Sequence, residues 1–429
     1  MQPTRLLNRN FLLLWQGQFV SRMGGHVYAI AIVLWLKEAT GSATLVGLVM
    51  MLSGLPIVLL GAIGGTAADR LSRRAILLVT DLVRGLLVLS VAAALYFAPD
   101  ATLVTTAWLI AVAVSMSAAT AFFVPAISAA IPDLVPPAKL MKANSLRQLT
   151  AQTALLTGQA VGGALYVLLG APILALANGI SFLLSAASVA FVRMPAGRRS
   201  DAAAGRRAFR GDLVEGLKFV GRQQGLRQVF LFTAVFAFFT MPIIVLLPFY
   251  VDDHLGASPE WYGYLLATYT GGIMLGSVGA GVLRLNGSHR AGLMIAFAIV
   301  SSVSVGLLGL VRSLDVALTL ALAIGVLTGF NGVNVHSITQ ARVASEMRGR
   351  VQGVLATVTG SLAPLGMGSG GLLYDLLDRD IALIFGGCGA SMALLSIVVA
   401  RNAAFRAFIG YEPGLPDIEG QGTLKQPST

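Results

Sequence analysis

The sequence predicts an all-α integral membrane protein with twelve transmembrane helices in two pseudo-symmetric six-helix halves. Three observations lead there. Of the 429 residues, 56% are hydrophobic and only 11% charged, whereas soluble globular chains carry about 25% charged residues. Apolar runs of about 20 residues, long enough to cross a hydrocarbon core of about 30 Å, recur along the whole length. A short motif also repeats, with "GGALY" at Gly162–Tyr166 returning as "GGLLY" at Gly370–Tyr374, a shift of 208 residues that also carries Gly158 onto Gly366.

Spans are expected at 11–36, 45–64, 75–97, 103–124, 147–169, 172–192, 228–250, 261–283, 291–311, 316–338, 351–374 and 382–400. They must be helices, because lipid leaves unpaired backbone groups unsatisfied and a closed barrel would need short alternating segments. The first apolar stretch is too long for a signal-peptide core, contains Arg22 and precedes no A-x-A-like site, so it reads as an uncleaved span. The chain thus divides into a first half (1–192), a linker (193–227), a second half (228–400) and a tail (401–429). The linker opens as polar "RMPAGRRSDAAAGRRAFR" and continues as "GDLVEGLKFVGRQQGLRQ", where Leu213, Leu217 and Val220 fall at helical spacing among basic residues. That pattern suits an amphipathic helix on the membrane surface; a solvated linker helix suits it equally.

The net charge of +11 is distributed, not diffuse. Most basic residues fall in loops sharing one side with the N-terminus: Arg5 and Arg9, Arg70 to Arg74, Lys139 to Arg147, the linker, Arg284 and Arg290, Arg342 to Arg350, and the tail. The opposite loops hold Lys37, Arg312 and Arg379 against Glu38, Asp100, Asp252, Asp253, Glu260, Asp315, Asp375, Asp378 and Asp380. This is the positive-inside bias. It places both termini in the cytoplasm, accounts for the basicity without nucleic acid, and suits a cell inner membrane. Cys388 is alone, which rules out an intramolecular disulfide and a cysteine-based metal site. No metal, organic cofactor or enzymatic activity is expected: no nucleophile–base pair, metal-ligand cluster or G-x-x-x-x-G-K-[ST] loop is present.

Three charges fall clearly inside the spans: Arg22, Asp81 and Arg84. An arginine near a helix centre costs about 2.5–3.5 kcal/mol even on the lenient insertion scale, so it should face a cavity or a partner. Gln18, Arg22 and His26 recur every four residues and form one polar stripe, a candidate cavity wall, with a structural hydrogen-bond cluster as the alternative. Asp81 and Arg84 are three apart and near enough to pair; Asp81 is a candidate for a latch or for proton coupling. Phe236, Phe239, Asn331 and Asn334 complete the candidate substrate cavity. Gly158, Gly162, Gly163, Gly366 and Gly370 are candidates for close helix packing, Gly158 and Gly162 forming a small-xxx-small face with Ala154.

Between the second and third spans lies "GGTAADRLSRR" (Gly64–Arg74). Gly65, Asp69, Arg70, Arg73 and Arg74 give G-x-x-x-D-R-x-x-R-R, which resembles the signature loop of the major facilitator superfamily, with Ser72 where that family usually has glycine. The resemblance implies a cytoplasmic gate: Asp69 against the N-terminus of span eleven near Gly349–Gly353, and the arginines paired with Glu346 or Asp81. "GAGVLRLNGSHR" (Gly279–Arg290) reads as its decayed copy. "FFVPAISAAIPDLVPPAKLMKANSL" and "GLKFVGRQQGLRQ" are similar to segments of the macrolide-efflux and siderophore-export branch, and "GQAVGG" resembles the antiporter motif G-P-x-x-G-G with Gln159 in place of proline. The resemblance implies a monomeric secondary exporter of a small amphipathic substrate (drug, macrolide or siderophore), working by alternating access with the proton as coupling ion. The membrane-embedded acids that many proton-coupled members carry in spans one, four or seven are missing here. A lysolipid or glycolipid flippase of the same fold, and a non-transporting membrane sensor, are the alternatives.

Overall fold

The structure, a computed structural model, describes residues 6–194, 211, 214–283 and 285–412. Residues 195–210, Leu213 of the expected linker helix, Arg284 and the tail beyond 412 lie outside them. Helices α1 (Arg9–Thr40), α2 (Ala43–Arg70), α3 (Arg73–Phe97) and α4 (Thr102–Leu134) come first. The next helical run, Leu140–Phe191, breaks at Gly170, whose φ of 74° and ψ of 165° are non-helical, two residues before Pro172. Its arms, 140–169 and 171–191, are α5 and α6. They lie antiparallel on α1: Gly158 and Gly162 meet His26 and Ile30 in rising order, while Asn178 and Ser185 meet Gly24 and Gly17 in falling order. The second half holds α7 (Gln224–Phe249), α8 (Glu260–Val282), α9 (Gly287–Leu308), α10 (Leu314–Arg342), α11 (Ser345–Leu376), α12 (Ile381–Arg401) and the short α13 (Ala403–Ile409).

Among the described residues there is no strand, and ten helical stretches are long and apolar enough to span a membrane. One of the ten contains both α5 and α6, and α11 is not among them, so length and composition alone mark fewer spans than the twelve expected. Helix α4 runs through Pro125 and Pro132 to Leu134, past the expected end at 124. Interior prolines remove a hydrogen bond, a loss that neighbouring helices make good in membrane bundles. The signature loop is also shorter than its motif. Gly65, Asp69 and Arg70 close α2, Arg73 and Arg74 open α3, and Ser72 caps α3 by accepting from the Ala75 N–H. Serine therefore does at this position what glycine cannot.

The repeated motif plays the same part in both halves. Gly162 packs on Ile30 of α1, and Gly370 on Pro242 of α7, the first helix of its own half. The next glycine crosses over: a Cβ on Gly163 would lie 2.6 Å from the Glu260 carbonyl at the start of α8, and one on Gly371 would lie 2.0 Å from the Ala43 carbonyl at the start of α2. The tyrosines then bond carboxylates, Tyr166 to Glu38 at 2.6 Å and Tyr374 to Asp253 at 3.0 Å. Gly158 and Gly366 lie beneath His26 and Phe238. The linker segment 214–222 is helical and docks on α11, with Gly216 against Arg350 and Val354, Val220 buried and Glu215 3.0 Å from Arg350. Leu217 points away and is exposed.

Candidate functional site

The two ends of the bundle differ. At the acidic end the halves are locked. Lys37 of α1 is buried, pairs with Asp252 and reaches Asp253 at 3.5 Å. Asp375, just beyond the expected span at 351–374, accepts from the Ser42 hydroxyl and the Thr44 N–H at 2.9 Å and from the Ala43 N–H at 3.3 Å. It thus sits on the N-terminus of α2, where backbone N–H groups lack partners and the helix dipole favours an anion. Burial pushes the Asp375 carboxyl up, but the hydrogen bonds from Thr44, Ser42 and Ala43 outweigh it and hold the group below its usual range. Midway, Thr270 of α8 donates to Gln159 of α5 at 2.7 Å. At the basic end, by contrast, α2 and α11 part. A side chain at Gly61, Gly65, Gly349 or Gly353 would meet nothing within 4 Å.

A cavity of about 440 Å³ occupies the second half, walled by α7, α8, α9 and α10 with Leu355 of α11 and Met392 of α12. That volume lies within the usual range for sites taking drug-sized molecules. Its walls are almost wholly apolar, and no aspartate, glutamate, lysine or arginine lines it. Phe236 and Asn331 are on the wall, as is His336. Asn331 donates to the Met294 carbonyl at 3.1 Å, but its Oδ1 is buried with no partner, as is the Ser301 hydroxyl. The other two residues expected there are not on that wall. Phe239 lies against Phe238 edge-to-face at 5.3 Å, and Asn334 is buried and donates to Phe330 at 2.9 Å. Three residues fall about 60° short of a full helical turn, and that offset leaves Asn334 off the wall that Asn331 reaches.

The first half has no such cavity among its described residues. Asp81 is fully buried, 2.5 Å from Arg84, and its second oxygen accepts from Ser185 at 2.8 Å. Gln18 in turn donates to Ser185 at 3.1 Å. The Arg84 guanidinium lies 4.0 Å and 4.9 Å from the ring centres of Phe123 and Phe182, a cation–π sandwich. Four helices, α1, α3, α4 and α6, therefore meet on one buried ion pair. Arg22 lies apart from it, in a pocket of about 30 Å³ with Trp15, Gln18, Arg147 and Thr150. His26 packs on Gly158.

A profile of the Major Facilitator Superfamily matches residues 14–367. The chain belongs to that superfamily. Among curated proteins it is similar to the multidrug efflux pump Tap of Mycolicibacterium fortuitum, 27% identical over 90% of this chain and 94% of the relative. It is also similar to macrolide efflux protein A of Streptococcus pyogenes, 25% identical over 87% and 90%. Among solved structures, a bacterial homologue of the iron transporter ferroportin in its inward-facing state superposes with a TM-score of 0.71, 16% identity, and 93% of this chain and all of that one covered. A bacterial homologue of the lysosomal transporter Spinster, inward-facing and unoccupied, gives 0.68, 16%, 96% and 100%. The protein is a multi-pass membrane transporter of this fold, not an enzyme.

Within this major facilitator fold the signature residues hold other partners than the resemblance implied. Arg73 bonds the Ala129 carbonyl at 3.0 Å and Asp133 at 2.5 Å, and Arg74 bonds the carbonyls of Val189 and Ala190. They tie α3 to the ends of α4 and α6 inside the first half. Asp69 is exposed. Glu346 is exposed too and takes a hydrogen bond from its neighbour Ser345. Asp69 is therefore not buried against the N-terminus of α11 as the resemblance implied. Asp81 likewise faces Arg84 and Ser185, not the arginines of the loop.

Lys37, Asp252, Asp253 and Asp375 stood in the sequence reading only as loop charges, although Lys37 is the lone basic residue of its loop. Arg147, in the first turns of α5, looked like one more topology-setting charge.

Proposed function

We propose that the protein exports amphipathic small molecules by alternating access, with the basic end facing the cytoplasm and a proton as the coupling ion. One observation carries the reading: an apolar cavity of drug size in the second half of a bundle whose halves are locked at one end and parted at the other. The uncharged wall offers an apolar body the gain of leaving water, about 25 cal/mol per Å² buried. The names of the relatives, multidrug and macrolide efflux proteins, support the same substrate class. Closure of the basic end around Asp69, Glu346 and the loop arginines, with release of Lys37 and Asp375, would turn the cavity outward. Asp81 is the acid buried deepest in the described bundle and is the candidate coupling group, by exchanging Arg84 for a proton. The chain works as a monomer.

The test uses inverted membrane vesicles and labelled lipophilic compounds, with the pH gradient intact or collapsed. Gradient-dependent uptake, reduced when Asn331→Leu fills the wall and lost in Asp81→Asn, is the expected result. Uptake that ignores the gradient would end proton coupling, and no uptake of any compound would end the export reading.

A further inference from the structure

Arg22 and Arg147 have no counter-charge among the described residues. Among the described residues neither has an ion pair or hydrogen bond, and Arg147 Nε is buried without a partner. The charge that acts on Arg22 is that of Arg147, and Arg22 acts in turn on His26 and Arg84. Arg84 is already neutralised by Asp81, so an uncompensated positive charge remains at the other two. Their neighbours are committed elsewhere: Trp15 Nε1 donates to Thr150 at 2.8 Å, and Gln18 to Ser185. Two like charges inside an apolar bundle are costly, and such residues are kept where they serve a ligand or pathway. A pair of planar guanidinium forks suits a phosphate or carboxylate, which each can grip bidentately.

The Arg22 face of α1 continues into open space. On α1, Gly25 and Ala29 share the Arg22 face; nothing lies within 4 Å of the first, and the second is exposed. Helix α1 reaches the segment just beyond α7 through Lys37 and Asp252, and α5, which carries Arg147, meets α8 at Gln159. In the second half α7 lines the apolar cavity from Phe232 to Leu247, about 22 Å at 1.5 Å per residue. The bundle thus has a cationic wall in one half and a long uncharged slot in the other.

We propose that the ligand is an anionic amphiphile, its oxyanion head held by Arg22 and Arg147 and its apolar body lodged in the second-half cavity. The inference rests on the export reading and narrows its substrate class. The head belongs either to a lipid of the bilayer or to a free amphiphile with the same chemistry.

The test is equilibrium binding of dodecyl phosphate to the full-length protein in phosphatidylcholine nanodiscs, read by quenching of tryptophan fluorescence, since Trp15 lines the arginine pocket. Dodecyl phosphate is expected to bind at least tenfold tighter than dodecyltrimethylammonium and far tighter than inorganic phosphate. Arg22→Gln and Arg147→Gln should each weaken it tenfold or more, while Arg22→Lys, which keeps the charge and loses the fork, should fall between wild type and Arg22→Gln, which guards against simple misfolding. Ser301→Leu, in the other half, should also weaken it, because one molecule occupies both walls. Equal affinity for the cationic amphiphile, or unchanged binding in both Gln variants, would overturn the proposal. Phosphatidylglycerol nanodiscs name the source, since competition there supports a lipid head and its absence supports a free amphiphile. Binding as described without uptake in vesicles would leave the site and remove the export reading. Uptake of a neutral drug without dodecyl phosphate binding would do the reverse.

Discussion

In the first half, α1, α3, α4 and α6 close around Asp81, Arg84, Ser185 and Gln18, with two aromatic rings on the guanidinium. In the second half the corresponding α7, α9, α10 and α12 stand around the 440 Å³ cavity. One helix plan has thus been filled in two ways. A buried ion pair satisfied on both sides is directional and ties the four helices to fixed positions, whereas apolar walls impose no such geometry and accept a range of shapes. The difference assigns the first half the part of a rigid frame with a charged inner face, and the second half that of the receptive wall.

The sharpest way to break that comparison is to remove one member of the pair. Arg84→Ala leaves Asp81 buried and uncompensated and should cost about 3–5 kcal/mol, seen as a large drop in the unfolding temperature of the purified protein. Replacing both charges, as in Asp81→Leu with Arg84→Met, should recover most of that loss. Thr240→Ala in the second-half wall, whose hydroxyl only bonds back to Phe236, should cost less than about 1 kcal/mol. Equal losses in the two halves would erase the distinction between frame and receptive wall.

The crossing glycines come next, and here the halves should behave alike. Gly163→Val and Gly371→Val would each drive a side chain into backbone of the opposite half, penalising the locked acidic end by about 1–3 kcal/mol. A cysteine placed at Gly41 should react faster with a membrane-impermeant maleimide in both variants, against a low background because Cys388 is buried. A response in only one of them would show that the repeat is not mechanically symmetric.

Asp375 sharpens the comparison further, because Val167, at the matching place in the first half, has no carboxylate. Its carboxyl is held below the usual range in the closed form. The stabilisation is therefore complete above the ordinary carboxylate pKa of about 3.9 and lost as pH falls through the lower closed-form value. The labelling rate at residue 41, divided by that of a free thiol at the same pH to remove the thiolate fraction, should stay flat from about pH 5 to 8 and rise below about pH 4. Asp375→Asn should weaken closure by about 1 kcal/mol at neutral pH. The smallest effect belongs to the linker: Arg350→Gln breaks a half-exposed pair with Glu215 and should change stability by less than about 1 kcal/mol.

Much of this was legible in the residues. The repeated G-G-x-x-Y placed two glycines and a tyrosine in equivalent roles, because close helix approach needs a missing side chain and sequence records it directly. The three-residue spacing of Asp81 and Arg84 forecast their pairing, since helix geometry puts such residues on one face. The partners of Arg73 and Arg74 were not legible. Asp133 and the carbonyls of Val189 and Ala190 lie far along the chain, and which end of the bundle is parted decides whether the loop meets α11.

Sequence by itself determined the class, the helices, the family and the two-half plan, for these follow from local hydropathy, helical period and a short motif. Tertiary structure alone decided the rest: that Lys37 and Asp375 lock the acidic end, that Phe239 and Asn334 turn away from the cavity while Phe236 and Asn331 face it, and that Arg22 and Arg147 share a pocket without a counter-charge. Those outcomes depend on which side chains distant helices bring within a few ångströms of one another. No local pattern encodes that.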